Sequence, residues 1–210
     1  MLAEPASVCE RGLRHVRAIG GRQPWGPRRA LVVGTGAIGM LATYLLRMEG
    51  LDVWAADRAR DAHKQRLIGA CGARFVATDD APLHDLAADV GGFDVVLEAA
   101  GDAQVMLDAL ALLRRNGVAC LLGIDGRPRD VSIDGRVLGV DAILQNRAIF
   151  GSVNANRVDW TAAVAHLDAA RARWPEALEA FVGLRVGLDA YAAAFGYRGV
   201  KATLDLEGSG

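Results

Sequence analysis

A glycine-rich turn between an apolar segment and an amphipathic helix constrains the fold of this chain more than any other feature. Residues 29–33 lead into Gly34, Thr35, Gly36, Ala37, Ile38 and Gly39, and Asp57 ends the next apolar run. In such a turn the first glycine permits a tight bend, the second lets the backbone approach a pyrophosphate, and the third allows close helix–strand packing. The spacing predicts a dinucleotide-binding unit in which Asp57 accepts from a ribose hydroxyl. The alternative is that the glycines only close a tight turn.

Apolar segments then alternate with helical patterns. The predicted strands are residues 29–34, 52–57, 73–77, 94–99, 117–123 and 148–153, and the predicted helices are 37–49, 61–70, 82–89 and 103–114. Strands that are apolar throughout are typical of parallel sheets covered on both faces, with right-handed crossovers. The sequence therefore predicts an α/β fold, a doubly wound parallel six-stranded Rossmann sheet, with a C-terminal helical and extended appendage.

The two ends of the chain depart from this alternation. A helix is predicted at 7–19 before a Gly/Pro-rich break, and the C-terminal segment carries predicted helices at 159–173, 175–181 and 188–195 and extended segments at 182–187 and 200–206. We divide the chain into an N-terminal helix and linker (1–23), a Rossmann domain (24–157) and the appendage (158–210). Gly208-Ser209-Gly210 is interpreted as a flexible tail or an expression remnant.

Composition narrows the function classes. A net charge of −1 gives no electrostatic reason to expect nucleic acid or an anionic membrane. No long apolar run and no secretory signal pattern are visible, so we expect a cytoplasmic protein. The three cysteines and four histidines lack paired ligand spacing, which favours buried thiols and surface or hydrogen-bonded histidines over a metal site.

The predicted strand ends supply further candidate contacts to a cofactor. Ligands of doubly wound sheets bind outside the carboxyl ends of the strands, and small residues there let a flat ring approach the backbone. The candidates are Ala100, Gly101, Leu122, Gly123, Ile124, Ser152, Val153 and Asn154.

The dinucleotide itself is NAD or NADP. Asp57 favours NAD because its charge repels a 2′-phosphate, whereas the adjacent Arg58 can accommodate that phosphate or stack on adenine. We favour NAD.

The order of these motifs resembles the C-terminal, cofactor-binding part of the medium-chain dehydrogenase/reductase superfamily, and most closely its glucose dehydrogenase branch. The resemblance covers nearly the whole chain and rests on Glu4-Pro5-Ala6-Ser7, Trp25-x-Pro27, residues 30–39, Asp57-Arg58, Glu98-Ala99-Ala100-Gly101, Leu122-Gly123, Gly151-Ser152-Val153-Asn154 and residues 188–201. It implies oxidation of a sugar or polyol hydroxyl, with a hydride passing to nicotinamide and a zinc ion polarising the alcohol oxygen.

The resemblance also implies roles for individual residues. The backbone at 122–124 and 152–154 would hold the carboxamide, the Asn154 side chain would reach the sugar, and Lys201 would contact a cofactor phosphate. Glu4 matches a position that gives a carboxylate to the zinc site, while the other zinc ligands belong to a GroES-like domain that would precede this chain. Zinc is therefore expected only if that domain is supplied. The plainer interpretations are a solvent-facing Glu4, a turn-forming Asn154 and a solvated Lys201.

The main hypothesis is thus the NAD(P)-binding domain of a zinc-dependent sugar or polyol dehydrogenase that is inactive as this chain alone. A nucleotide-binding module or sensor without turnover is the first alternative, and a class I methyltransferase is the second. Apolar edges in the appendage or the sixth strand predict a homodimer.

Overall fold

The computed structural model describes residues 1–206. Its principal helices are α1 (Ala3–Gly20), α2 (Ala37–Met48), α3 (Ala62–Ala70), α4 (Leu83–Val90), α5 (Ala103–Leu110), α6 (Ala142–Leu144), α7 (Arg157–Arg173), α8 (Pro175–Ala180) and α9 (Tyr191–Gly196). Its strands are β1 (Arg29–Val33), β2 (Asp52–Asp57), β3 (Arg74–Ala77), β4 (Phe93–Glu98), β5 (Leu113–Leu121), β6 (Ala148–Gly151), β7 (Val182–Gly187) and β8 (Lys201–Asp205). The predicted Gly208-Ser209-Gly210 tail lies outside the described residues.

Six strands form one parallel sheet in the order β3-β2-β1-β4-β5-β6. This confirms the predicted doubly wound Rossmann sheet. The chain changes direction across the sheet between β1 and β4, which is where ligands of this architecture bind. A class I methyltransferase sheet ends in an antiparallel hairpin, and none of the pairings in the six-stranded sheet is antiparallel.

The sheet is buried on both faces because its strand residues are apolar in both side-chain directions. On one face, Val32 and Val95 pack in a core with residues of α1, α2 and α7. On the other face, Leu31 and Val96 pack with residues of α4 and α5. Alternate residues of the same strand therefore enter different cores, which explains why the strands carry apolar residues in succession rather than in alternation. Cys9, Cys71 and Cys120 are buried free thiols.

The boundary between α5 and β5 differs from the prediction. The helix predicted at 103–114 ends at Leu110, and β5 begins at Leu113 rather than at residue 117. Leu113 pairs with Phe93, and the register then shifts before Val95 pairs with Val118. The bulge includes Asn116, which has a positive φ of 64°. Leu112 and Leu113 suit the buried face of a helix, but here they lie in the core on one face of the sheet.

The sixth strand is also shorter than the predicted 148–153. It ends at Gly151, although the Ser152 amide still donates to the Leu121 carbonyl at 3.0 Å. Asn154 has a φ of 65°, a left-handed conformation that turns the chain out of the sheet. Before this strand, a π-helical turn at Val137–Asp141 continues into α6, and the sequence pattern did not indicate either element.

The extended segments of the appendage pair with each other. β7 and β8 form a separate two-stranded parallel sheet, joined through a short 3₁₀ turn and α9. The two segments were predicted as extended but outside the main sheet, and both features are confirmed. No helix within residues 1–206 is both long and apolar enough to cross a membrane.

Two polar pairs connect α1 with α7. Arg14 donates from Nε to Asp159 Oδ1 at 2.7 Å, and Asp159 is 1% exposed. His166 Nδ1 lies 2.5 Å from Oε1 of Glu10, another buried carboxylate. The hydrogen bond from Arg14 holds the pKa of Asp159 below its ordinary value. These pairs supply charged or hydrogen-bonding partners from a second helix to two buried carboxylates.

Candidate functional site

The glycine turn follows β1 and is held by close backbone contacts. Gly34 has a φ of 92°, and a Cβ there would lie 2.6 Å from the Ala100 nitrogen. A Cβ on Gly39 would lie 1.8 Å from the Gly34 carbonyl oxygen. Gly36 has nothing within 4 Å of its Cβ position. Gly34 and Gly39 therefore make the tight turn possible. Gly36 leaves open space beside the backbone, which a bound pyrophosphate requires.

The start of α2 faces this open space. Gly36 is the N-cap residue, no side chain caps the helix, and its first turn holds no acidic residue. The first N–H groups of α2 therefore keep free donor capacity at the positive end of the helix dipole. An anion of the size of a phosphate fits the donors and the space that this turn provides.

Asp57 ends β2 beside the turn, where three groups surround its carboxylate. The Thr35 hydroxyl donates to Oδ2, Lys64 Nζ lies 2.6 Å from the same oxygen, and the Arg58 amide donates to Oδ1 at 2.8 Å. Burial acts to raise the pKa of Asp57, but the hydrogen bonds from Lys64 and Thr35 outweigh it and hold that pKa below its ordinary value. Asp57 is therefore an ionised acceptor at neutral pH.

A cleft of about 610 Å³ runs across the carboxyl ends of the central strands. The cleft is lined by residues from the ends of five strands: Gly34 after β1, Asp57 and Arg58 at the end of β2, Thr78 and Asp79 after β3, Gly101 and Asp102 after β4, and Arg127 after β5. A volume of this order is typical of small-molecule sites. The structure thus brings the turn, the acidic residue and the β4 end together along one groove.

Glu98, the last residue of β4, organises the loops next to this groove. It is fully buried, and Oε1 accepts the amides of Ala100 at 2.7 Å and Gly101 at 3.0 Å. A Cβ on Gly123 would lie 2.5 Å from Glu98 Oε2, so the loop after β5 packs directly on this carboxyl. Oε2 is buried and has no hydrogen-bond partner. Burial raises the pKa of Glu98.

Two substitutions of Glu98 distinguish its role as a hydrogen-bond acceptor from the effect of its charge. We expect Glu98→Ala to lower the stability by about 2–4 kcal/mol, because the amides of Ala100 and Gly101 lose their acceptor and the buried side chain leaves a cavity. Glu98→Gln keeps an acceptor and removes a charge that the fold disfavours. Since the folded state raises the pKa of Glu98, the wild type loses stability as the pH rises through that pKa, and the glutamine variant does not. Its melting temperature relative to wild type should therefore increase from about pH 4 to about pH 7. A difference that is constant or decreases with pH would contradict this role.

Ion pairs and a hydrogen bond connect the loop after β5 with the start of α5. Asp102 is the N-cap of α5, and Asp125 accepts the Ala103 amide at 2.9 Å. Arg127 bridges both carboxylates, with contacts of 3.0 Å to Asp102 and 2.7 Å to Asp125. The hydrogen bonds from Arg127 and Arg129 hold the pKa of both carboxyls well below the ordinary range. This network fixes Arg127 at the rim of the cleft.

The remaining strand-end candidates lie along the neighbouring β5 and β6 ends. The amides of Leu122 and Gly123 donate to the Glu98 carbonyl at 2.8 and 3.0 Å. Ile124 and Val153 are 82% and 68% exposed, and Asn154 is exposed as well. Ser152 Oγ is buried without a hydrogen-bond partner. Residues 122–124 and 152–154 thus occupy adjacent positions at the same edge as the cleft.

Lys201 and Glu4, two further candidates, do not line this cleft. Lys201 begins β8 in the small sheet and is not among the cleft-lining residues. Glu4 is exposed in the first turn of α1. Within residues 1–206, no three Cys, His, Asp or Glu side chains are grouped so that they could hold a metal ion. By themselves the described residues therefore do not form a zinc centre, which needs about three protein ligands.

Sequence reasoning missed Lys64, Thr78 and Arg127 in this region. Lys64 carries a weak signal, because Asp61 is a typical N-cap residue that places it in the first turn of α3. Thr78 and Arg127 reach the cleft only through tertiary structure. No local pattern indicates either residue.

Comparison with known proteins identifies the family to which this chain is similar. A family model described as "Glucose dehydrogenase C-terminus" matches residues 1–206. Glucose 1-dehydrogenase of Methanocella arvoryzae is 35% identical over 190 residues, which cover 90% of this chain and 53% of the relative. Glucose 1-dehydrogenase 1 of Caldivirga maquilingensis is 37% identical over 210 residues, with coverages of 98% and 58%. This chain therefore spans little more than half the length of these relatives.

Solved structures agree with this similarity. Haloferax mediterranei glucose dehydrogenase superposes with a TM-score of 0.87 at 25% identity, covering 97% of this chain and 57% of that one. The same enzyme in complex with NADP, Zn and gluconolactone matches equally well. Bacillus subtilis 2R,3R-butanediol dehydrogenase shares the fold, with a TM-score of 0.73 at 21% identity. The family match and the relatives confirm the resemblance found in the motifs, and the chain belongs to the family of glucose dehydrogenase C-terminal domains.

Proposed function

We propose that this chain binds a nicotinamide dinucleotide and forms the cofactor-binding part of a zinc-dependent sugar dehydrogenase of the glucose type. The observation that carries the proposal is the groove at the carboxyl ends of the central strands, where Gly34 of the glycine turn lies beside the ionised Asp57. Gly36, which has open space at its Cβ position and begins α2, follows in the same turn. The Haloferax relative, which holds NADP, Zn and gluconolactone, matches 97% of this chain. That match supports the same ligand class here.

Each part of the groove has a physical role in this proposal. The turn at 34–39 and the amides of α2 hold the pyrophosphate, Asp57 accepts from the adenosine ribose, and Arg58 stacks on adenine. The backbone at 122–124 and 152–154 orients the carboxamide, and the small residues Ala100 and Gly101 leave room for a flat ring. Glu98 fixes the loops at 100–101 and 122–123. A bound nicotinamide supplies the ring carbon that accepts a hydride from the substrate.

The finer parts of the proposal stay predictions. We propose a preference for NAD, because the charge of Asp57 opposes a 2′-phosphate. Asn154 is proposed to reach the sugar, and Glu4 to lend its carboxylate once a zinc-binding domain supplies the other ligands. We also propose that Lys201, the first residue of β8, contacts a cofactor phosphate. The division at residues 23 and 157, the homodimer and the cytoplasmic location remain predictions.

Ligand binding and turnover by the 210-residue chain test this proposal. We expect NADH to quench tryptophan fluorescence and to raise the melting temperature, since a ligand that binds only the folded state stabilises it. We expect no oxidation of glucose with either dinucleotide and added zinc. If neither NADH nor NADPH binds, the proposed function is wrong. If glucose is oxidised at a rate that depends on zinc, this chain forms a metal site by itself, and the two-part assignment is wrong.

Binding without turnover is also what the second candidate function, a nucleotide-binding module or sensor, would give. Adding the zinc-binding half of a glucose dehydrogenase as a separate polypeptide distinguishes the two. Recovery of glucose oxidation supports the enzyme part, whereas binding that never leads to turnover favours the module.

A further inference from the structure

A second group of charged residues lies at the amino ends of the strands, opposite the cofactor cleft. A cavity of about 480 Å³ is found there, beside the starts of β4, β5 and β6. Its lining includes Arg114 and Arg115 from the start of β5 and Arg147, which directly precedes β6, and none of the described residues that line it is acidic. A neighbouring cavity of about 430 Å³ shares Arg114 and Arg115 and adds Trp25 and Arg28. This edge of the sheet therefore concentrates positive charge away from the cleft.

Arg147 is buried without a full set of partners. Its side chain is 8% exposed, and Nη2 donates to Gln145 Oε1 at 3.1 Å. Nε and Nη1 are buried and have no hydrogen-bond partner among the described residues, and Asp141 Oδ2 lies 3.9 Å from Nη1, beyond hydrogen-bond distance. Burial lowers the pKa of Arg147 despite the opposing charge of Asp141. A buried cation is costly unless it is paired, so Arg147 lacks an anionic acceptor.

A second buried donor at the same edge also lacks an acceptor. Nε1 of Trp25, which lines the neighbouring cavity, is buried and finds no hydrogen-bond partner in the part of the chain that the structure describes. An indole N–H can only donate, as can a guanidinium. Water satisfies a neutral N–H but does not compensate the charge of Arg147. A ligand that suits both groups has to supply several acceptor atoms and negative charge.

The bulge in β5 places two further guanidinium groups at the mouth of the cavity. Arg114 and Arg115 directly precede the bulged Asn116, and both are exposed. The Asn116 amide donates to the Gln145 carbonyl at 2.7 Å, which joins the bulge to the turn that leads to Arg147. Bulges in strands commonly redirect side chains next to functional sites. The three arginines are thus brought to one cavity by a direct link between their two segments.

The arginines at this edge outnumber the negative groups. Asp94 lies 3.7 Å from Arg114, and Asp141 is the carboxylate near Arg147. The carboxyl end of α4, with its partial negative charge, also meets this edge, where a guanidinium donates to the Val90 carbonyl. The arginines that line the two cavities or cap this helix are Arg28, Arg29, Arg114, Arg115 and Arg147. The edge keeps a positive excess that attracts anions.

We propose that this edge is a binding site for a phosphate-class anion, either inorganic phosphate or the phosphoryl group of a small metabolite, and we call it the arginine site (Arg114, Arg115 and Arg147). The two exposed guanidinium groups present planar donor pairs that match phosphate oxygens. Arg147 attracts the anion through its charge and gains acceptors when its side chain rotates toward the cavity. The cavity volume is typical of small-molecule sites and leaves room for an organic group beside the phosphoryl group. The arginine site does not depend on the proposed function of the cleft.

Thermal melting of the 210-residue chain in phosphate tests the arginine site. Sodium phosphate is increased at neutral pH while sodium chloride keeps the ionic strength constant. Arg147→Met removes the buried charge and keeps an unbranched stem, and Arg115→Gln removes an exposed charge. Arg157→Gln, at the exposed start of α7, is the matched control because Arg157 does not line the cavity. Gly36→Val obstructs the glycine turn, the other place where phosphate can bind.

We expect phosphate to raise the melting temperature of the wild type, Arg157→Gln and Gly36→Val with a dissociation constant of about 1 mM. Arg147→Met and Arg115→Gln should each raise this constant at least about tenfold. Without phosphate, Arg147→Met should melt no lower than the wild type, since the buried charge that it removes lacks a close partner. Glycerol phosphate distinguishes the two sources: tighter binding than inorganic phosphate identifies an organic phosphate as the ligand, and weaker binding identifies free phosphate.

Three results would overturn the arginine site. Stabilisation that persists in Arg147→Met and Arg115→Gln but is lost in Gly36→Val places the phosphate in the glycine turn. Equal losses in Arg115→Gln and Arg157→Gln assign the effect to overall charge. A wild type that phosphate does not stabilise has no such site, and this result leaves dinucleotide binding by the cleft intact. If Arg147→Met does not fold, Arg115→Gln and its control decide.

Discussion

Gly36→Val is expected to weaken NADH binding at least about 100-fold, or about 2.8 kcal/mol, while the melting temperature changes little. No atom lies within 4 Å of the Cβ position of Gly36, and its φ of −71° is accessible to any residue. The valine is therefore tolerated by the fold but occupies the space beside the free amides of α2. Calorimetric titration with NADH and thermal melting of the same sample measure the two effects.

Gly26→Val is the matched control for this variant. Gly26 is exposed in the loop before β1, and its Cβ position is likewise free of contacts within 4 Å. We expect NADH affinity within about twofold of wild type for this variant. If Gly36→Val binds NADH normally, the phosphates do not approach the backbone at Gly36, and the proposed position of the cofactor is wrong.

Gly39→Ala is expected to affect stability far more than binding chemistry. A Cβ at this position would lie 1.8 Å from the Gly34 carbonyl oxygen, a backbone atom that cannot rotate away. The turn and α2 would have to separate, so we expect a loss of at least about 3 kcal/mol in the free energy of unfolding. Urea denaturation monitored by circular dichroism measures this loss.

Gly69→Ala provides the comparison within another helix. Gly69 lies in α3 with nothing within 4 Å of its Cβ position, so alanine should increase stability by up to about 1 kcal/mol through helix propensity. Opposite signs for the two substitutions would show that packing against Gly34, rather than loss of a helical glycine, destabilises Gly39→Ala. Equal, small effects would mean that the turn does not have this tight geometry.

The main sheet was accessible to sequence reasoning because its signals are local. Strands such as β1 and β4 are continuous apolar runs, and the glycine turn fixes the position of the first crossover. The end of α5 was not accessible, since Leu112 and Leu113 suit a helix face and a strand equally well. Only the pairing of Leu113 with Phe93 decides between the two.

Less of the candidate site than of the sheet could be predicted, because only part of the site is encoded by residues close together in the sequence. The turn and Asp57 are found by spacing along the chain, and the structure places them in one groove. Lys64 and Arg127 act through ion pairs whose partners are set by the approach of α3 and of the loop after β5. A charged residue in a surface segment looks the same in sequence whether or not it has such a partner.

The polar pairs between α1 and α7 join two segments that the ribosome synthesises far apart in time. Arg14 and Asp159 are separated by 145 positions, and Glu10 and His166 by 156. Contacts so distant in sequence form late and slow the folding of a chain. A ribosome that has made all six strands of the main sheet still carries a first helix without its polar partners. The segment after β6 therefore completes the packing of α1, which is synthesised before the main sheet, and a chain that stops before α7 leaves Glu10 without the histidine that pairs with it.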